Sequence, residues 1–151
     1  MSTSASPSIS PTPSTAESGP ITLSLPPIPT MVRVGRLTAS SIASLADMTI
    51  DDIDDIKIAV SEMITLLIQS GGRSAVTLRF EAENNSFVAE ASTPASSLDL
   101  GRNDLALATA VLDAVADSHE IAFAQDRIMI RVVKTTATRT ANAEPSPAAD
   151  V

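Results

Sequence analysis

Residues Thr49 to Gly72 read TIDDIDDIKIAVSEMITLLIQSGG, and the spacing of apolar residues in this stretch decides the fold. Ile53, Ile56, Val60, Met63, Ile64 and Leu67 return at intervals of three and four, so a helix gathers them into one apolar stripe. Such a stripe belongs against a sheet. Thr49 with Asp52 resembles a capping box, and Asp51, Asp52, Asp54 and Asp55 crowd the first turns, where negative charge suits the helix dipole. These aspartates lack the D-x-D-x-D-G order and loop setting of a calcium site, so helix-start electrostatics explains them and no metal site is expected. Gly71 and Gly72 supply the stop. At about 100° per residue, Glu62 lies roughly opposite the stripe, and position 66 follows one turn later on the same face. Glu62 is the only charge between Ile58 and Gly72. A carboxylate so placed can orient a water or take a proton if its face lines a pocket.

Working outward, Ile21 to Leu25 alternate as a strand, closed by Pro26, Pro27 and Pro29, which cannot sit in a central ladder. Thr30 to Leu45 reads as a helix with Met31, Val34, Leu37, Ser41, Ile42 and Leu45 near one face and Arg33 and Arg36 flanking it. Beyond Gly72, Val76, Leu78 and Phe80 alternate with Thr77, Arg79 and Glu81, the period of a half-buried strand from Ala75 to Ala82. Glu83 to Ser86 form a turn, since Asn84 and Asn85 tolerate positive φ, and Phe87 to Ser92 returns as the hairpin partner. Residues 93–104, TPASSLDLGRND, make a longer loop. Asn103 can cap a helix from Asp104 to Asp117 anchored by Leu105, Leu107, Val111, Leu112 and Val115 among alanines. Ile121 to Ala124 and Ile128 to Val133 form a second hairpin through Gln125 and Asp126. This order disfavours a doubly wound fold. It predicts an α/β two-layer sandwich, a mixed and mostly antiparallel sheet with three helices on one face.

Composition sets outer limits. The 151 residues, 44% of them hydrophobic, suffice for one domain, and with no Trp, no Tyr and three Phe its core is aliphatic. A formal charge of −8 argues against nonspecific binding to nucleic acid or anionic lipid, which leaves a protein partner or a small ligand. The absence of cysteine excludes disulfides and thiolate chemistry and fits a reducing cytoplasm. No apolar run approaches the ~18 residues of a membrane helix, and no basic region with an apolar h-region opens the chain, so a soluble, unexported protein is expected. Residues 1–20 and 137–151, rich in Ser, Thr, Pro and Ala, read as unstructured tails around a body of 21–136. His119, the only histidine, reads as a surface residue at the start of a strand, which leaves Ser-His-Asp and Cys-His arrangements without support. Neither a G-x-x-x-x-G-K-[ST] nor a G-x-G-x-x-G run occurs.

The stretch IKIAVSEMITLLI resembles the box helix of the anti-sigma factor serine kinases, bacterial regulators with the ATP-binding fold of histidine kinases, gyrase and heat-shock ATPases. The resemblance runs from about Ile21 to Lys134. In that family the box reads AVSEAxTNAI, its Glu is the general base that activates the attacking hydroxyl, and the Asn four residues later coordinates magnesium. Ala59, Val60, Ser61 and Glu62 keep AVSE, whereas Leu66 replaces the asparagine, and an isobutyl group cannot ligate a hard cation. Where the family carries D-x-G after the hairpin, this chain has Thr93, Pro94 and Ala95, without the carboxylate that accepts the adenine amino hydrogen bond. The glycine-rich lid aligns with Gly101 to Asp104, where one glycine survives and Asp104 puts negative charge at the phosphate position. LATAVLDAVAD and RIMIRVVK look like the family's closing helix and strand. The altered box and the run Glu90, Ala91, Ser92 are most similar to actinobacterial, mycobacterial-type anti-sigma factors.

The resemblance therefore implies a retained scaffold with a degenerate ATP site, in which Glu62 and Gly101 are what remains of the ATP ligands and neither ATP nor magnesium is an expected cofactor. Aligned back from Glu62, Arg36 falls on the first-helix arginine with which the family touches both the sigma factor and the competing anti-anti-sigma protein, and Arg33 lies one turn earlier. The implied function is sequestration of a stress-response or sporulation-type RNA polymerase sigma factor, relieved by an anti-anti-sigma partner, in a cytoplasmic homodimer. Two alternatives stay open: an active serine kinase of the anti-anti-sigma protein using Glu62, and an interaction module on the same fold that binds something else.

Overall fold

The computed structural model describes residues 19–71, 73–96 and 101–137. Apart from Gly19, Pro20 and Ala137, the two tails read from composition lie outside the described residues, as do residues 97–100 of the loop before the last helix. In chain order the elements are β1 (Ile21–Leu25), α1 (Met31–Leu45), α2 (Ile50–Gly71), β2 (Val76–Glu83), β3 (Ser86–Pro94), α3 (Arg102–Val115), β4 (Ser118–Ala124) and β5 (Arg127–Thr135). The five strands form one sheet in the order β1-β2-β3-β5-β4, and every pairing is antiparallel. The sheet is thus not mixed. From β3 the chain crosses through α3 to β4, skipping one position, and β5 fills the gap by a tight hairpin, so β3 and β4 run the same way without touching.

Both hairpins turn on two residues with positive φ: Asn84 and Asn85 at 51° and 60°, Gln125 and Asp126 at 54° and 53°. Two left-handed residues in succession match the right-handed twist of the flanking strands. Alternation along the strands then separates the faces. Val76, Leu78, Phe80, Phe87, Ala89, Ala91, Ile128, Ile130 and Val132 are buried under the helices. On the other face Arg79 lies opposite Glu90, Glu90 opposite Arg131, and Arg131 opposite Glu120, a row of alternating charge across four strands. Arg79 and Arg131 approach Glu90 at 3.6 and 3.3 Å. Such exposed pairs contribute only about 0.2–1 kcal/mol each, but they keep this face solvated.

The helices cover the opposite face, with α2 in the middle, touching α1, α3, β2, β3 and β5. Central placement buries more of α2 than one stripe. Ala59 and Leu66 join Ile56, Val60, Met63, Ile64 and Leu67 in the core, and Leu66 is only 1% exposed. Position 66 therefore does not share an open face with Glu62, which is half-buried. The two are separated by about 40° of helix turn, and the edge of the core falls between them.

Helix α1 is turned differently from the apolar spacing. Its buried residues are Gly35, Ala39, Ile42 and Ala43, while Val34, Leu37 and Leu45 are 40%, 52% and 81% exposed. The cause is close approach: a Cβ on Gly35 would collide with Cδ1 of Ile64 on α2 and press on Leu78 and Leu25. Small residues let the backbones come together, and the larger apolar side chains point outward. His119 is also corrected. Strand β4 begins at Ser118, which puts His119 opposite Val132 on the helix-covered side, its side chain only 16% exposed and Nδ1 3.3 Å from Asp113 Oδ1 on α3. No helix among the described residues is long and apolar enough to cross a membrane.

Candidate functional site

An open groove of about 670 Å³ runs between α1 and α2, lined by Arg36 and Leu37 from the first helix and Asp54, Lys57, Ile58, Ser61 and Glu62 from the second. The structure thus brings together Glu62 and Arg36, the two residues that the sequence singles out on different grounds. Local chemistry explains the lining. Lys57 Nζ sits 2.8 Å from Asp54 Oδ1, a pairing one turn apart that neutralises both. The Ser61 hydroxyl donates to the Lys57 carbonyl at 2.7 Å and so turns back onto its own helix. Neither Arg36 nor Glu62 has an ion-pair partner among the described residues. Leu37 and Ile58 stand 52% and 47% exposed at the groove. Sequence reasoning missed both; the signal was present for Ile58, an aliphatic side chain on the polar arc of the α2 wheel. Arg33 is exposed on α1 but does not line the groove.

The remaining positions of the nucleotide resemblance lie elsewhere. Thr93 is fully buried near the end of β3, its hydroxyl donating to the Ala75 carbonyl at 3.1 Å. Ala95 donates its N–H to the Asp126 carbonyl at 2.9 Å and borders a shallow recess with Ser74, Pro94, Ser96 and Asp126. Gly101 is the N-cap of α3, its carbonyl accepting from the N–H groups of Asp104 and Leu105 at 3.0 and 3.1 Å, and Asp104 is exposed in the first turn. Among the described residues none of these, nor Leu66, borders the groove that holds Glu62. No cluster of three or more His, Cys, Asp or Glu suited to a metal is present among the described residues.

The acidic start of α2 does more than answer the helix dipole. Thr49 and Asp52 form the capping box, with the Asp52 N–H donating to Thr49 Oγ1 at 3.1 Å and the Thr49 N–H reaching Asp52 Oδ2 at 3.3 Å. The Thr136 hydroxyl also donates to Asp52. Lys134 Nζ donates to Asp55 Oδ2 at 2.8 Å and to the Val115 carbonyl at 3.1 Å, so one ammonium joins α2, α3 and the end of β5. Asp117 closes the clasp by accepting from the N–H and hydroxyl of Thr135, each at 2.6 Å. Sequence could not show this, because Asp55 and Lys134 are 79 residues apart.

Burial pushes the Asp52 carboxyl up, but the Thr136 and Thr49 hydroxyls, the Thr49 amide and Lys134 outweigh it and hold the group below the usual range. Hydrogen bonds from Thr135 do the same for Asp117. For Lys134 burial works downward, and its hydrogen bond and attraction to Asp55, with Asp117 and Asp52, leave it above its usual value. The depressed carboxyls give stability that is full above the unfolded value near 4 and lost as pH falls through the folded values; raised Lys134 gives stability that is full below about 10.4 and lost as pH rises through its folded value. Urea midpoints should accordingly stay level around neutrality and fall below about pH 4, and the acid fall should be shallower in Asp52→Asn/Asp117→Asn. Parallel acid profiles in the variant and the parent would contradict this account of the clasp.

The fold and groove define a class: a helix-covered, open antiparallel α/β sandwich, with the element order that the apolar spacing and turn residues predict. No family model matches the chain. Over 45 residues it is 56% identical to the Serine-protein kinase RsbW of Listeria monocytogenes serotype 4a and equally to that of Listeria innocua serovar 6a, 30% of this chain and 29% of each relative. Over 64 residues it is 41% identical to the Serine-protein kinase RsbW of Bacillus velezensis, 40% of either chain. These relatives bear out the resemblance to the anti-sigma factor serine kinases across 30% to 40% of the chain. The aligned stretch spans less than half the length of the curated relatives.

Proposed function

We propose that this chain is an anti-sigma factor that holds a stress-response or sporulation-type sigma factor through the groove between α1 and α2 and gives it up to a competing anti-anti-sigma protein. The observation that carries the reading is the meeting of Arg36 and Glu62 on one open groove beside exposed Leu37 and Ile58. An apolar patch with charged side chains at its margin is the usual make-up of a protein-binding surface. The relatives' likeness supports the same direction. Arg36 lines the groove without an ion-pair partner among the described residues and selects an acidic contact on the partner. In this reading the protein works in the cytoplasm as a homodimer, as the resemblance implies, and needs no ATP, the last of these supported by an aliphatic, buried residue at position 66. Run-off transcription by sigma-loaded polymerase tests it. The chain should suppress transcription from the cognate promoter, Arg36→Glu should need about a hundredfold more protein for the same suppression, and equal potency of the two would remove Arg36 from the surface.

The second reading, a serine kinase acting on the anti-anti-sigma protein with Glu62 as base, is favoured by the names of the relatives. A fluorescent nucleotide titration with magnesium separates the two readings, since micromolar binding would support the kinase and none would oppose it.

A further inference from the structure

The groove assigns Glu62 a different task from that of a base. We propose that Glu62 is a docking residue, pairing with a basic side chain of the same partner segment whose acidic side chain meets Arg36, while an apolar side chain of that segment seats between Leu37 and Ile58. This rests on the reading of the chain as a sigma-sequestering protein. The argument starts from charge. Lys57 and Asp54 cancel at 2.8 Å, which leaves one cation from α1 and one anion from α2 facing the groove without ion-pair partners among the described residues. Two exposed aliphatic side chains, Leu37 and Ile58, accompany them. The occupant that complements this surface is an amphipathic segment bearing an acid, an apolar residue and a base on one side.

The Glu62 carboxylate is also open to a partner in the groove. No hydrogen bond holds the Glu62 carboxylate among the described residues, and the nearby Ser61 hydroxyl is committed to the Lys57 carbonyl at 2.7 Å. Leu66 and Thr93, where the resemblance places nucleotide ligands, are both closed in the core. Glu62 therefore shares its groove with Arg36 and not with those positions.

Calorimetric titration of the 151-residue chain against the purified sigma factors of its own genome tests the proposal. Glu62→Gln, nearly isosteric, should weaken binding about tenfold, Glu62→Lys about a hundredfold, and Glu62→Asp should retain most of the affinity. Thermal melting of each variant reports whether the fold is kept, and Glu62→Gln decides the matter if the lysine variant unfolds. Wild-type binding with Glu62→Gln within about twofold of it would overturn the docking role while leaving the sigma-sequestering reading intact. Absence of wild-type binding to every sigma factor would overturn both. Loss of magnesium-ATP binding or phosphoryl transfer in Glu62→Gln, with sigma affinity unchanged, would also return Glu62 to catalysis.

Discussion

Leu66→Asn, the change that restores the residue the serine-kinase box carries, lowers the free energy of unfolding by about 3–5 kcal/mol and confers no nucleotide binding. Leu66 is 1% exposed and lies within the apolar cluster that contains Met63, Leu67 and Leu112. Asparagine has nearly the outline of leucine, so the loss comes not from a cavity but from replacing two buried methyl groups by an amide without partners, which costs roughly 2–7 kcal/mol in an apolar surrounding. The magnitude separates two descriptions of the molecule. If position 66 faces a ligand cavity, asparagine is solvated there and costs less than about 1 kcal/mol. If position 66 is core, the loss is several times larger. Chemical denaturation of the two proteins, with equal slopes to confirm that the compared states are alike, gives the answer.

Gly35→Val should cost about 3 kcal/mol, because α1 cannot back away from α2 without opening the core beneath both helices. The obstruction is a single methyl group, Cδ1 of Ile64, with Leu78 and Leu25 behind it. That identifies its own control. Gly35→Ala gains about 1 kcal/mol of helix propensity yet should still destabilise the protein, whereas in an Ile64→Val background, which lacks that methyl, the same change should be neutral or stabilising. Additive effects in this double-mutant cycle would mean that α1 packs on α2 by some other contact.

Helix α2 was legible because a long apolar stripe at intervals of three and four fits a helix and not the two-residue period of a strand. The β2–β3 hairpin was legible because Asn84 and Asn85 carry the turn chemistry in plain view. The face of α1 was not. Hydrophobic spacing ranks Val34, Leu37 and Leu45 above Gly35, Ala39 and Ala43, but contact between two helices rewards small side chains, and only the partner helix reveals which surface is close-packed. The difference changes the functional picture, since it moves Leu37 from the core to the groove. His119 was misplaced for a related reason: three additional residues at the start of β4 move it from a strand's entrance to its helix-covered side. The clasp around Lys134 lay beyond local reading, because its members come from the start of α2 and the last strand.

Within the candidate site, Glu62 and Arg36 were each visible, one as a lone charge in an apolar run and the other through resemblance. Their common groove follows from the crossing of α1 over α2, which neither helix's own sequence specifies. Leu66 shows the reverse. A wheel places it beside Glu62, but α2 is covered from several sides and the core claims it.

Calorimetric titration of the 151-residue chain with the sigma factor proposed as its partner, wild type beside Arg36→Glu, tests most directly whether the groove between α1 and α2 is a binding surface. The account predicts a saturable complex for the wild type and an affinity lower by about a hundredfold for Arg36→Glu, with the folded state kept. Equal affinities for the two proteins would contradict it.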